Sequence, residues 1–243
     1  MEYADYIQSI RFRFLQPDRK RPTGFRAVSQ LLGKLGVHLE MLNTLLPNGD
    51  DATMRTRLRR ACRVPRMSTF AIGAMINEGV RRMPAGQAFV NVGVWNGFTF
   101  LCGMAGNDEQ TCIGVDSYPF DDSPRAAFQN RFVRARSPNH HFHHMDFKDY
   151  FADVHTELIG FYIFDGPHRY EDQYDGLKVA EPFLADGCIV LVDDSNWDRV
   201  RRGTLDFIEK SEHDYRMLLD VTTPRSGHPT YWNGMMVFQK TGE

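Results

Sequence analysis

Gly160-Phe161-Tyr162-Ile163-Phe164-Asp165 and Cys188-Ile189-Val190-Leu191-Val192-Asp193-Asp194 are two apolar runs that each end in carboxylate. Each has the length and continuity of a strand buried on both faces, as in a parallel sheet covered by helices. Tyr170 to Leu184 between them reads as a helix, so the unit is strand–helix–strand and its two strands run parallel. Asp165, Asp193 and Asp194 then emerge at one edge of the sheet, the edge where open α/β sheets bind ligands. Neighbouring strands lie about 4.8 Å apart, which brings three carboxylates within reach of one cation. Such a cluster is costly unless a positive group sits in it. The pattern points to a metal-assisted enzyme.

Working outward, the same rhythm repeats. Ser68 or Thr69 can cap a helix running to about Met83, closed by Pro84-Ala85-Gly86. Strand one is Ala88 to Val92, strand two Cys112 to Val115, and strand three lies near Phe142 to Met145. The opening pair supplies strands four and five, and Tyr215–Val221 and Met235–Gln239 read as two late strands. Alternation of strands with helices predicts an α/β fold with a doubly wound, mostly parallel seven-stranded sheet.

Strand one runs into Gly93-Val94-Trp95-Asn96-Gly97, followed by a helix from about Phe98 to Ala105. Glycine lets backbone approach a ligand closely, and free N–H groups at a helix start bind polar groups. The spacing is G-x-x-x-G rather than G-x-G-x-x-G, which disfavours NAD; by itself such a loop is either a ligand cradle or a plain turn. Asp116 closes strand two about 20 residues on, where an acid can accept hydrogen bonds from both ribose hydroxyls. Asp146 closes strand three, within reach of an adenine amino group. Either aspartate could instead cap a helix or face solvent.

These residues resemble the class I S-adenosylmethionine-dependent methyltransferases over about residues 68–240. The likeness is nearest to the metal-dependent O-methyltransferase branch that includes sugar, macrolide-sugar and cephalosporin-biosynthesis-like enzymes. Its most specific piece is Phe164-Asp165-Gly166-Pro167-His168-Arg169-Tyr170-Glu171, similar to a D-G-x-H-x-Y-E segment; Asp186 to Asp194 is similar to the branch's glycine-led strand five. The resemblance implies a Rossmann-like methyltransferase fold in which Gly93 and Gly97, with Trp95 and Asn96 between them, line S-adenosylmethionine. Asp116 would hold the ribose and Asp146 the adenine, and Asp165, Asp193 and Asp194 would bind Mg²⁺ or another divalent cation. Asn91 stands where the family usually carries an acid for the methionine part of the cofactor; it can hydrogen-bond but adds no charge. Pro167 stands where several sugar O-methyltransferases place an aspartate as general base. His168 is the nearest other candidate, with Asp165 beside it.

Methyl transfer to oxygen needs a hydroxyl that has been polarised or deprotonated. A carboxylate-held Mg²⁺ keeps open positions for substrate oxygens and lowers the hydroxyl pKa, and an imidazole with pKa near 6.5 can take the proton. The expected substrate is a small hydroxylated molecule: a sugar, polyol or catechol-like compound. Other readings stay open. Asp193-Asp194 could cap the next helix while Asp165 forms a turn with Gly166; His168 could cap a helix or pack on Tyr170; Asn196 reads as a helix cap. His140, His141, His143 and His144 alternate faces along a strand and cannot all meet one ion, so they read as structural. Trp197 with Arg199, Arg201 and Arg202 could form a substrate wall or an oligomer contact.

Residues 1–66 read as a basic, helical N-terminal extension ahead of a methyltransferase domain at 67–243. They hold 13 Lys+Arg against 6 Asp+Glu, a net of +7, in a chain of net charge -2. Ser29 to Leu46 reads as one amphipathic helix, ended by Pro47-Asn48-Gly49-Asp50-Asp51, and Thr53 to Arg63 as an arginine-bearing one. The run Arg55, Arg57, Arg59, Arg60, Arg63 and Arg66 could hold RNA, but no base-stacking element accompanies it, and a solvated face or salt bridges to the main domain are the plainer readings. A cofactor-binding relative without transfer activity is the other alternative. Pocket walls are expected from this extension and from the loop Ser117 to Asn139. Four scattered cysteines, no signal-peptide pattern and no apolar run of about 20 residues lead to an expectation of a cytoplasmic protein, with no membrane and a possible homodimer.

Overall fold

The computed structural model describes residues 1–47, 49 and 51–242, and the side chains of all these except Arg26, Gln30 and Lys34. The turn expected at 47–51 lies partly outside them, at Asn48 and Asp50. One seven-stranded sheet organises the chain: β1 (Gln87–Val92), β2 (Thr111–Val115), β3 (His140–His143), β4 (Leu158–Phe164), β5 (Leu184–Asp193), β6 (Tyr215–Val221) and β7 (Met235–Lys240). Its order is β3-β2-β1-β4-β5-β7-β6. The first five strands are parallel and β7 runs antiparallel to both neighbours. The winding reverses direction between β1 and β4, and such a switch point opens a crevice beyond the strand ends.

Ten helices surround the sheet among the described residues: α1 (Tyr3–Gln8), α2 (Phe25–Lys34), α3 (Leu39–Asn43), α4 (Asp51–Leu58), α5 (Phe70–Arg82), α6 (Phe98–Met104), α7 (Arg125–Ala135), α8 (Phe147–Asp153), α9 (Tyr170–Ala180) and α10 (Asp198–Lys210). Strand alternation sorts the core into two layers. Phe89, Phe161, Ile163, Leu191 and Val237 face a layer built with Tyr3, Tyr6 and Ile7 of α1, Leu58 of α4, and α5 to α7. Val90, Tyr162, Phe164, Val190 and Phe238 face the other, built with α8 to α10. The N-terminal extension therefore supplies part of the main core. Three helix glycines set the helix–sheet distance: a Cβ at Gly79, Gly103 or Gly176 would overlap the ring of Phe161, Phe89 or Phe164 respectively.

Thr69 caps α5 as expected, accepting from the Ile72 amide at 3.5 Å. The single helix expected over 29–46 is instead broken into α2 and α3. Gly36 sits at φ +77°, the Val37 amide returns to the Leu32 carbonyl at 2.9 Å and the Gly36 amide to Gly33 at 3.0 Å. This is the glycine-terminated Schellman pattern, and it wins over the apolar periodicity. Thr44–Leu45 then pairs with Arg11–Phe12 rather than continuing the helix. Leucines expected inside lie outside: Leu31, Leu35 and Leu42 are exposed. The third strand begins at His140 and ends before Met145, so Asp146 caps α8.

Candidate active site

Strand register places the candidate residues on one rung. Val92 pairs with Val115 and with Phe164, and Phe164 pairs with Val192. The residues that follow these four are Gly93, Asp116, Asp165 and Asp193. Gly93 has φ +82°, and a Cβ there would overlap the carbonyl oxygen of Asp165; the turn brings the ends of β1 and β4 into direct backbone contact. Its amide donates to the Val115 carbonyl at 2.9 Å, and the Asp165 amide donates to Val92 at 3.0 Å.

Asp116 organises the glycine loop. Its Oδ2 accepts from the Val94 and Trp95 amides, both at 2.8 Å, and its Oδ1 from the Tyr118 amide at 2.7 Å. Oδ2 is thereby filled, and Oδ1 retains accepting capacity for a hydroxyl. The Tyr118 hydroxyl donates to the Trp95 carbonyl at 2.9 Å, which holds Trp95 at φ +47°. Gly97, at φ +95°, opens α6 with its α-carbon against the Phe128 ring, and the Asn96 carbonyl accepts from Arg131 at 3.1 Å.

A cavity of about 350 Å³ occupies the crevice, within the range of small-molecule sites. Gly93, Trp95, Asp116 and Asp146 line it together with Asp165, His168 and Asp193. Arg66 of the expected N-terminal wall, Met67 next to it and Ser117 to Asp121 of the expected loop also line it. Asn91, Asn96 and Gly97 are not among the lining residues. Asn91 is fully buried and its Nδ2 donates to the Val92 and Gly93 carbonyls at 3.2 Å each; its Oδ1 has no hydrogen-bond partner. Asp146 keeps its capping bond, Oδ1 accepting from the Lys148 amide at 2.8 Å, while facing the cavity.

Asp165 and His168 of the lining and Asp194, which is not among the lining residues, each place a ligand atom within 4.8 Å of the others. His168 Nε2 lies 3.5 Å from Asp165 Oδ1 and 3.2 Å from Asp194 Oδ2. Burial works to lower the His168 pKa, but the two carboxylates outweigh it and push it up to about 9. Burial raises the Asp165 carboxyl to about 6, with His168 opposing and Asp194 adding to the rise. Asp193 is 6% exposed, and burial followed by the charges of Asp165 and Asp194 pushes its carboxyl well up; its Oδ1 accepts from the Asp194 amide at 2.8 Å. A divalent cation fits this donor set. It would offset the repulsion among the acids, with carboxylate oxygen donors suited to Mg²⁺ or Mn²⁺.

The capping readings of this segment do not hold. The N-cap of α10 is Trp197 and that of α9 is Arg169, neither with a side-chain cap. Asp194, at φ +61°, turns its Oδ1 to the Nδ2 of Asn233 at 2.7 Å. Asn196, expected as a cap, instead donates to the Thr223 carbonyl at 2.8 Å. His168 meets the edge of Trp197 with ring centroids 4.6 Å apart. Asn233 and Thr223 were not legible in the sequence as site residues, because no local pattern says that the β6–β7 connection folds back onto the end of β5.

Residues 90–195 match a family model described as a methyltransferase domain. The fold is that of a class I methyltransferase. Solved structures of this methyltransferase fold superpose over nearly the whole chain. The O-methyltransferase TomG of Streptomyces achromogenes, involved in tomaymycin synthesis and bound to SAM, has a TM-score of 0.55 at 13% identity, covering 91% of this chain and 100% of that one. An O-methyltransferase of Bacillus cereus in complex with SAH gives 0.54 at 12%, covering 89% and 97%. A protein of Corynebacterium glutamicum gives 0.57 at 14%, covering 91% and 99%. No curated protein matches by sequence. At these identities the shared property is the methyltransferase fold.

The other clusters serve the fold. His140 is fully buried, bonded to the Ser137 amide at 3.1 Å and near the Asn107 carbonyl at 3.3 Å; His143 packs on Tyr150 and His144 on Tyr118. Of the arginine run, Arg55 binds Asp51 at 2.6 Å, Arg57 binds Asn77 at 3.0 Å, and Arg66 pairs with Glu40. Arg59, Arg60 and Arg63 are exposed. Arg201 pairs with Asp220, while Arg199 lies over the Trp197 ring at 5.3 Å. No helix among the described residues is long and apolar enough to cross a membrane.

Proposed function

We propose that this chain transfers a methyl group from S-adenosylmethionine to a hydroxyl of a small molecule, with a divalent cation held at Asp165 and Asp194. One observation carries the reading: the Asp165–His168–Asp194 cluster lies at the same strand-end edge as Gly93, Trp95, Asp116 and Asp146, and Asp165 and His168 share a cavity wall with them. The family match over 90–195 supports transfer of methyl, and the O-methyltransferase neighbours support oxygen as acceptor. When bound, S-adenosylmethionine supplies an electrophilic methyl on a sulfonium, and the cation supplies Lewis acidity to a substrate oxygen.

The chain's own residues do the rest. Gly93 opens the backbone to the cofactor, Asp116 Oδ1 has a lone pair for a ribose hydroxyl, and Asp146 faces the adenine end. Asp165 and Asp194 hold charge at the substrate edge, with Asp193 beside them in the cavity lining. His168 is the proton acceptor once the carboxylate charge beside it is compensated, since that charge is what keeps its proton on. Trp197 packs against the His168 ring. The acceptor is a sugar, polyol or catechol-like molecule, whose adjacent oxygens can share one cation. Mass spectrometry of a hydroxylated metabolite panel tests the reading. A +14 Da product that requires divalent cation and disappears in Asp165→Ala is expected; a product unchanged by EDTA and by that substitution removes the metal, and absence of S-adenosylmethionine binding in calorimetry removes the whole reading.

A further inference from the structure

We propose that Asn233 is a positioning residue that holds Asp194 in its cation-facing orientation; this rests on the divalent-cation reading above. Asp194 sits at φ +61°, a backbone region that aspartate tolerates at a cost, so its side-chain direction needs support from elsewhere. Asn233, only 3% exposed, gives it: Nδ2 donates to Asp194 Oδ1 at 2.7 Å, a charge-assisted bond. That leaves Oδ2 as the oxygen turned to the cluster, 3.2 Å from His168 Nε2.

Asn233 is itself fixed from behind. Its carbonyl accepts from the Asn196 amide at 2.9 Å, and its Oδ1 accepts from Asn196 Nδ2 at 3.3 Å. Asn196 in turn exchanges bonds with Thr223, Nδ2 donating to the carbonyl at 2.8 Å and Oδ1 accepting from the amide at 2.9 Å. The amide orientation of Asn233 is unambiguous, because a carboxylate can only accept. Gly234 at φ +81° lets Asn196 approach, where a Cβ would stand 2.5 Å from its Oδ1. Antiparallel pairing supplies the reach: Met235 lies opposite Asp193, so the residues before Met235 overhang the end of β5. Groups that orient metal ligands typically carry 10- to 100-fold in metal affinity.

Electron paramagnetic resonance titration with Mn²⁺ on the full chain tests this. Asn233→Ala should weaken Mn²⁺ binding by about 10-fold or more and leave S-adenosylhomocysteine affinity within about twofold. Arg21→Ala loosens the same connection at the Gly227 carbonyl without touching Asn196, Asn233 or Asp194; it should lower the melting temperature and keep Mn²⁺ affinity. Should the alanine variant fold poorly, Asn233→Leu keeps the volume without the donor and should show the same Mn²⁺ loss. Wild-type Mn²⁺ affinity in a folded Asn233 variant overturns the proposal, as does an equal loss in Arg21→Ala. A wild-type chain that binds no Mn²⁺, or binds it equally in Asp165→Ala, overturns the cation reading itself.

Discussion

His168 is the residue at which charge and pH meet. Its proton is held by Asp165 and Asp194, and its pKa in the folded chain stands at about 9, above the ordinary 6.5. The sign follows: the stabilisation is fully present below about pH 6.5 and is lost as pH rises through about 9. The Asp165 carboxyl, raised from 3.8 to about 6, has the same sign in a lower window, its contribution being lost as pH rises through about 6. Without added cation, the melting temperature should therefore fall between pH 6.5 and 9, and His168→Gln should flatten that fall. An identical pH slope in both proteins would show that the imidazole carries no such proton. Added Mg²⁺ should raise the melting temperature most at the alkaline end, where the cation need not compete with the proton.

At the scale of elements, contact between helix and sheet is set by ring against backbone. Gly176 in α9 leaves room for Phe164, the residue before Asp165, and a Cβ there would overlap its ring. Gly176→Ala forces the ring or the helix aside, an overpacking cost of about 1–3 kcal/mol, measurable by urea unfolding. Because Phe164 immediately precedes the cluster, cation affinity should also drop in this variant. Gly79→Ala, against Phe161, should cost a similar amount of stability, and being further from the strand end should leave cation affinity unchanged.

At the scale of the molecule, the N-terminal extension is part of the core and part of the site wall. Tyr3 is 9% exposed, donates to the Met75 carbonyl at 3.1 Å and meets the Phe161 ring edge-on at 6.1 Å. Tyr3→Ala should destabilise the whole chain by about 3 kcal/mol, seen as one cooperative shift in chemical unfolding. A separate early transition would instead show that the extension melts by itself. The extension also reaches the β6–β7 connection: His228 Nε2 lies 2.9 Å from the Arg19 carbonyl, and Arg21 donates to the Gly227 carbonyl at 2.9 Å.

The sequence by itself determined the sheet, its winding and the edge at which chemistry collects. Buried parallel strands need continuous apolar runs, and a chain that leaves such a strand must turn at polar or glycine residues; Gly93, Asp116, Asp165 and Asp193 were visible for that reason. It also showed the α5 cap at Thr69 and the two late strands. Contacts between residues distant in sequence were decided only in three dimensions. Asn233 reaches Asp194 because β7 pairs antiparallel to β5, and His168 acquires its raised pKa because β4 and β5 are neighbours in register. Asn91 was read for its side-chain chemistry, yet burial turned it to its own backbone. The helix over 29–46 was misread because periodicity records which residues are apolar, whereas a glycine in the left-handed region decides where the chain turns and which face finds a partner.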